Sequence, residues 1–178
     1  MYTVQKPFVI VIFGTAGVGK STIAESLKNQ IINTAHVSSD HIKRYISEFK
    51  QVPSHNEVSR NVTNAMIVEY LKNGINVILE QGMSREQIEV VRDISTQYGA
   101  TFLVYRIEAD ADIRLKRINE RAVRVGQPVM SQETMDILLH IYNDNTYPAT
   151  ATFDSGVLST EEICTRMMRD IEATYSAS

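Results

Sequence analysis

The sequence predicts an α/β protein in which a parallel sheet is covered by helices on both faces. Three observations predict it: short continuous apolar runs rich in β-branched residues, apolar stripes at helical spacing between them, and a glycine-rich turn joining the first run to the first stripe. "FVIVIF" at 8–13 reads as a strand buried on both faces, and Ile23, Leu27 and Ile31 follow it at four-residue spacing. "AHVSS" at 35–39 is a weaker strand. Val58, Val62, Ala65, Met66 and Tyr70 form the next apolar stripe, which ends at Gly74 as C-cap. "NVIL" at 76–79 is a core strand. Ser84 with Gln87 fits a capping box that opens a helix with Ile88, Val91 and Ile94 inward and Gly99 at its end. "TFLVYRI" at 101–107 and the weaker "ATATF" at 149–153 complete the strands, and Ser159 with Glu162 caps the C-terminal helix.

The 178 residues suit one domain, 1–178, and a composition of 43% hydrophobic and 22% charged residues is that of a folded globular chain. No apolar run approaches the ~18 residues that span a bilayer, and "MYTVQKPFVIVIFG" runs into a strand without a cleavage-site pattern, so neither a membrane span nor a signal peptide is expected. The single cysteine, Cys164, excludes an intramolecular disulfide and suits a reducing cytoplasm. His36, His41, His55 and His140 lack the spacing of a zinc site. A net charge of −3 argues against indiscriminate nucleic-acid binding, and nucleic acid is expected only as an acceptor end.

"GTAGVGKS" at 14–21 matches G-x-x-x-x-G-K-[ST] in full, with a strand before it and a helix after it. Glycines let backbone N–H groups converge on phosphate oxygens, and the helix N-terminus adds partial positive charge. Gly14, Thr15, Ala16, Gly17, Val18, Gly19, Lys20, Ser21 and Thr22 are therefore the expected cofactor-binding set for ATP. Within it, Lys20 reaches the β- and γ-phosphates and Ser21 ligates Mg²⁺.

In parallel sheets, ligands lie beyond the carboxyl ends of the strands, so residues just after a strand are functional candidates. Asp40 follows the second strand, placed to orient an acceptor hydroxyl and take its proton, although an Asp there also suits an N-cap. Lys43 and Arg44 follow it, placed for an anionic group on the acceptor. Glu80 directly follows a central strand, where a carboxylate holds Mg²⁺ through water or touches the substrate. Arg114, Arg117, Arg121 and Arg124 are spaced 3, 4, 3, which puts them on one helix face beside Leu115, Ile118, Ala122 and Val125 as the apolar face. Four arginines in register read as a lid, about 114–131, that closes on phosphates, with "VGQPVM" at 125–130 as its return.

From residue 8 to about 171 the chain resembles the small P-loop kinases of the adenylate-kinase-like class, in the branch of polynucleotide 5′-hydroxyl kinases, small antibiotic and sugar kinases and zeta toxins. The resemblance implies a three-layer α/β/α P-loop NTPase fold with a five-stranded parallel sheet in the order 2-3-1-4-5, a helical lid, and an acceptor region at about 40–73. The polynucleotide-kinase-like pattern of an Asp followed three residues later by a basic residue falls on Asp40 and Lys43. There the Asp is the general base and the second residue is usually Arg; Lys43 gives up bidentate contact with a phosphate. The two lid arginines of that family fall on Arg117 and Arg121, and its strand-end Asp falls on Glu80, a departure. In the zeta toxins, which phosphorylate a sugar hydroxyl on a nucleotide sugar, an Arg in the preceding helix and a strand end of type "IEG" are similar to Arg60 and Glu80. Adenylate kinases carry an Asp-x-x-Arg at this point for AMP.

These readings converge on an ATP- and Mg²⁺-dependent kinase acting on a hydroxyl of a small molecule, nucleotide or nucleic-acid end. Lys20, Asp40, Arg117 and Arg121 are its catalytic set, Asp40, Lys43, Arg44, Arg60 and Glu80 its acceptor side, and Ser21 with Glu80 its metal shell. A nucleoside monophosphate kinase is one alternative. An ATPase or switch without a phosphorylated product is the other, although the chain has no N/TKxD-type guanine motif.

Overall fold

The computed structural model describes residues 6–48, 52–126, 129–133 and 147–176. Its elements, in chain order, are β1 (Phe8–Phe13), α1 (Lys20–Lys28), β2 (Thr34–Val37), α2 (Ser39–Lys43), α3 (Pro53–Lys72), β3 (Asn76–Gln81), α4 (Arg85–Gln97), β4 (Thr101–Glu108), α5 (Ala111–Arg124), β5 (Ala151–Asp154) and α6 (Thr160–Ser176). Among the described residues the strands form one five-stranded sheet in the order β2-β3-β1-β4-β5, every pair parallel. This is the predicted topology. No helix of the described residues is long and apolar enough to cross a membrane.

Alternation along the central strands divides the core into two layers. Phe8, Ile10 and Ile12 of β1, with Ile78, Leu103, Tyr105 and Ile107, pack against Ile23 and Leu27 of α1 and Ile163, Met167 and Ile171 of α6. Val9, Val11 and Phe13, with Val77, Leu79 and Val104, pack against Ile67 and Leu71 of α3 and Ile88 and Val91 of α4. Pairing of β1 with β3 sets Ile12 beside Glu80 and Phe13 beside Gln81. The carboxylate of Glu80 is thereby delivered next to the turn that begins at Gly14.

Both capping boxes form. Ser84 Oγ accepts from the Gln87 N–H while the Gln87 side chain accepts from the Ser84 N–H. Ser159 and Glu162 reciprocate in the same way at the start of α6.

Two helix faces differ from the hydropathy reading. On α3 the buried positions are Ser59, Thr63, Ile67 and Leu71, whereas Val58 and Val62 are 49% and 40% exposed. The inward face is turned by one residue, about 100° of helix. Hydroxyls explain it: Thr63 Oγ1 donates to the Ser59 carbonyl at 2.7 Å and Ser59 Oγ to the His55 carbonyl at 3.4 Å, so both side chains bury without an open hydrogen bond. On α5, Ile118 and Ala122 are buried as expected, but Val125 is exposed and Arg114, only 7% exposed, takes an inward position. β2 also ends earlier than expected, at Val37, so Ser38 and Ser39 belong to the entry of α2.

The α3 face gives a stability ranking. Ile67→Ala is expected to cost about 2–5 kcal/mol by chemical denaturation, and Val62→Ser under about 0.5 kcal/mol. The reverse ranking would restore the hydropathy face.

Candidate active site

The loop at 14–19 lies flush against two neighbours. A Cβ on Gly14 would run into the carbonyl oxygen of Ile107, and one on Gly17 (φ +82°) would lie 2.7 Å from the Arg114 carbonyl oxygen. Only glycine fits a loop pressed this closely between β4 and α5. α1 then starts from Gly19 with no side-chain cap and no acid in its first turn, so its leading N–H groups face the loop undiluted by a competing carboxylate.

Lys20 folds back over this loop, its Nζ donating to the Thr15 carbonyl at 2.9 Å. Burial lowers its pKa from the usual value; Glu80 and then Asp40 oppose that shift, and Arg121 adds to it. Desolvation wins. The ammonium is thus held in a site where its charge is incompletely balanced.

Glu80, 5% exposed, accepts the Ser21 hydroxyl at 3.0 Å on Oε1. A hydroxyl and a carboxylate side by side are the hard oxygen donors that a small divalent cation takes. His36, on β2, has a carboxylate at each ring nitrogen: Glu25 Oε2 at 3.3 Å from Nδ1 and Glu80 Oε1 at 3.9 Å from Nε2.

Asp40 stands inside the first turn of α2 rather than at a strand end or an N-cap; the N-cap is Ser38, without a side-chain bond. Its carboxylate is 69% exposed and accepts from Lys43 Nζ at 2.9 Å. Arg44 is exposed and Arg60 half-buried on α3.

One cleft of about 740 Å³ gathers most of the predicted residues: the whole of 14–22, Asp40, Lys43, Glu80, Arg117, Arg121 and Arg124. Arg44 and Arg60 do not line it. The four arginines of α5 divide. Arg114 lies beneath the loop, with Nη1 donating to Thr15 Oγ1 at 2.9 Å. Arg117 donates from Nη1 to Ser155 Oγ at 2.9 Å and from Nη2 to the Ser155 carbonyl at 2.8 Å. Arg121 is exposed within the cleft and close enough to Lys20 to act on its charge. Of the predicted lid return, Gln127 and Pro128 lie outside the described residues. A smaller cavity of about 210 Å³ adjoins Gly14 and Thr15 and is bordered by an Arg106–Glu108 ion pair of 2.6 Å.

Ser155, Leu158 and Thr160 also line the cleft and carry no sequence expectation, and Ser159 carries only that of a helix cap. The signal was present, since Ser155 directly follows β5.

The family profile described as an AAA domain matches residues 9–139. No curated protein matches the chain. Among solved structures, a provisionally assigned kinase from Chloroflexus aurantiacus is similar at a TM-score of 0.76 and 16% identity, over 96% of this chain and 99% of that one. The APS kinase CysC of Mycobacterium tuberculosis, solved with AMPPNP and APS, is similar at 0.71 and 12%, over 95% and 99%. A gluconokinase from Sinorhizobium meliloti 1021 is similar at 0.68 and 18%, over 98% and 99%. At these identities the likeness establishes the fold, which is that of P-loop kinases.

Replacing Lys20 separates stability from binding. Lys20→Met removes a buried ammonium, so the ligand-free melting temperature is expected to equal or exceed that of the wild type, while the stabilisation by ATP (about 2.7 kcal/mol at 100 times Kd) disappears. Because the folded pKa is the lower one, the unfolded chain binds more protons between it and 10.5, and stability from this group rises with pH across that window. A lower melting temperature with an intact ATP shift would contradict the assignment.

Proposed function

The chain belongs to the AAA domain family, and we propose that it is an ATP-dependent phosphotransferase that moves the γ-phosphoryl group of ATP to a hydroxyl of a small molecule, nucleotide or nucleic-acid end. One observation carries this reading: a single cleft is lined by the P-loop, by Asp40 and Lys43 from α2, by Glu80 from β3 and by Arg117 and Arg121 from α5. Likeness to kinases that act on APS and on gluconate supports a small-molecule acceptor.

In this reading the loop N–H groups and Lys20 bind the phosphates. Ser21 and Glu80, joined by a 3.0 Å hydrogen bond, would hold Mg²⁺, which would supply positive charge to the phosphates. Arg121, next to Lys20, and Arg117, fixed on Ser155 beside Gly19, are placed to stabilise charge on the transferring group. The acceptor enters from the α2 side, where Asp40 takes the proton from its hydroxyl as the new O–P bond forms and the bond to the β-phosphate oxygen breaks. Lys43 donates to Asp40 at 2.9 Å and stands beside it for contact with an anionic group of the acceptor. The chain acts as one cytoplasmic kinase domain, with its acceptor region at about 40–73 and its lid at about 114–131.

ATP consumption measured across a panel of hydroxyl compounds identifies the best acceptor. On that compound, Asp40→Asn is expected to lower kcat by about 10²–10⁴ while the ATP-induced thermal shift is unchanged. Retention of most of the activity would remove Asp40 from the role of base.

A further inference from the structure

We propose that Ser155 is a positioning residue that sets both walls of the nucleotide cleft through one side chain. It joins three parts of the fold. Its N–H donates to the Glu108 carbonyl at 2.9 Å, at the end of β4. Its hydroxyl lies within donating distance of two carbonyls, Val18 in the P-loop at 2.7 Å and Glu108 at 3.1 Å, and the shorter contact assigns its proton to Val18. The same oxygen accepts from Arg117 Nη1, and the Ser155 carbonyl accepts from Arg117 Nη2, which brings in α5.

The bond to Val18 acts on the cradle. In a trans peptide the C=O and the following N–H point to opposite sides. Anchoring the Val18 carbonyl on Ser155 therefore fixes the direction of the Gly19 N–H, one of the donors of the phosphate loop. Val18 is fully buried, and the hydroxyl that meets its carbonyl oxygen is that of Ser155. The bond to Arg117 acts on the opposite wall. A guanidinium held by two N–H bonds on one residue keeps a single orientation in the cleft wall that it lines. Arg117 Nη1 passes 3.9 Å from where a Gly19 Cβ would stand, so the two walls meet at this point.

The inference rests on the reading of the cleft as an ATP site. Affinity for AMPPNP, measured by thermal shift with Mg²⁺, is compared for the wild type, Ser155→Ala, Arg117→Ala and the double variant, together with KM for ATP and kcat. Ser155→Ala is expected to weaken AMPPNP about tenfold, equivalent to one to two net hydrogen bonds, and to raise KM for ATP by the same factor, with kcat changed far less. The double variant is expected to lose much less than the product of the two single losses, since each removes the other's partner. Arg117→Lys, which keeps the charge and loses the paired donors, is expected to weaken AMPPNP like Ser155→Ala and keeps the test open if Ser155→Ala does not fold. Unchanged affinity in Ser155→Ala or, should that variant not fold, in Arg117→Lys, or losses that multiply, would overturn the positioning role. A wild type that binds no nucleotide would overturn it together with the reading of the cleft.

Discussion

The close seating of the P-loop between β4 and α5 governs everything built around it. Gly14 lies against the Ile107 carbonyl and Gly17 against the backbone of Arg114, at distances that leave no room for a side chain. Because β1 pairs with both β3 and β4, the same seating fixes where Glu80 and the end of β4 stand relative to the loop. The loop, Glu80 and the end of β4 are thus placed by strand register, which is stiff.

Charge is the second determinant. The site concentrates Lys20, Arg117, Arg121 and Arg124 around a loop of backbone donors, against Asp40, Glu80 and Glu120. The acids nearest to Lys20 do not fully offset its burial, which is why its pKa falls. A polyanion entering the cleft supplies the missing compensation. A site in this condition gains more from a bound polyanion than a site already neutralised.

Much of this was legible in the sequence because the informative residues are local. The P-loop is eight consecutive residues, and central strands buried on both faces leave unbroken apolar runs. The edge strands β2 and β5 were harder, being four residues long and only partly buried. What escaped depends on partners far along the chain or on polar groups that bury themselves. Ser59 and Thr63 form an inward face that hydropathy cannot see, because backbone carbonyls satisfy their hydroxyls. Arg114 leaves the arginine stripe because Thr15, 99 positions away, receives it. Ser155 meets Val18 across 137 positions, and no pattern of spacing records such a contact.

The central claim is that the cleft passes a phosphoryl group to an organic acceptor rather than to water. ATP labelled in its γ-phosphoryl group, incubated with the protein, Mg²⁺ and pools of hydroxyl compounds, followed by separation of the products, tests it directly. The account predicts that the label accumulates in an organic phosphate ester, at a rate set by one component of the pools. Label recovered only as inorganic phosphate, at a rate no pool alters, would contradict it.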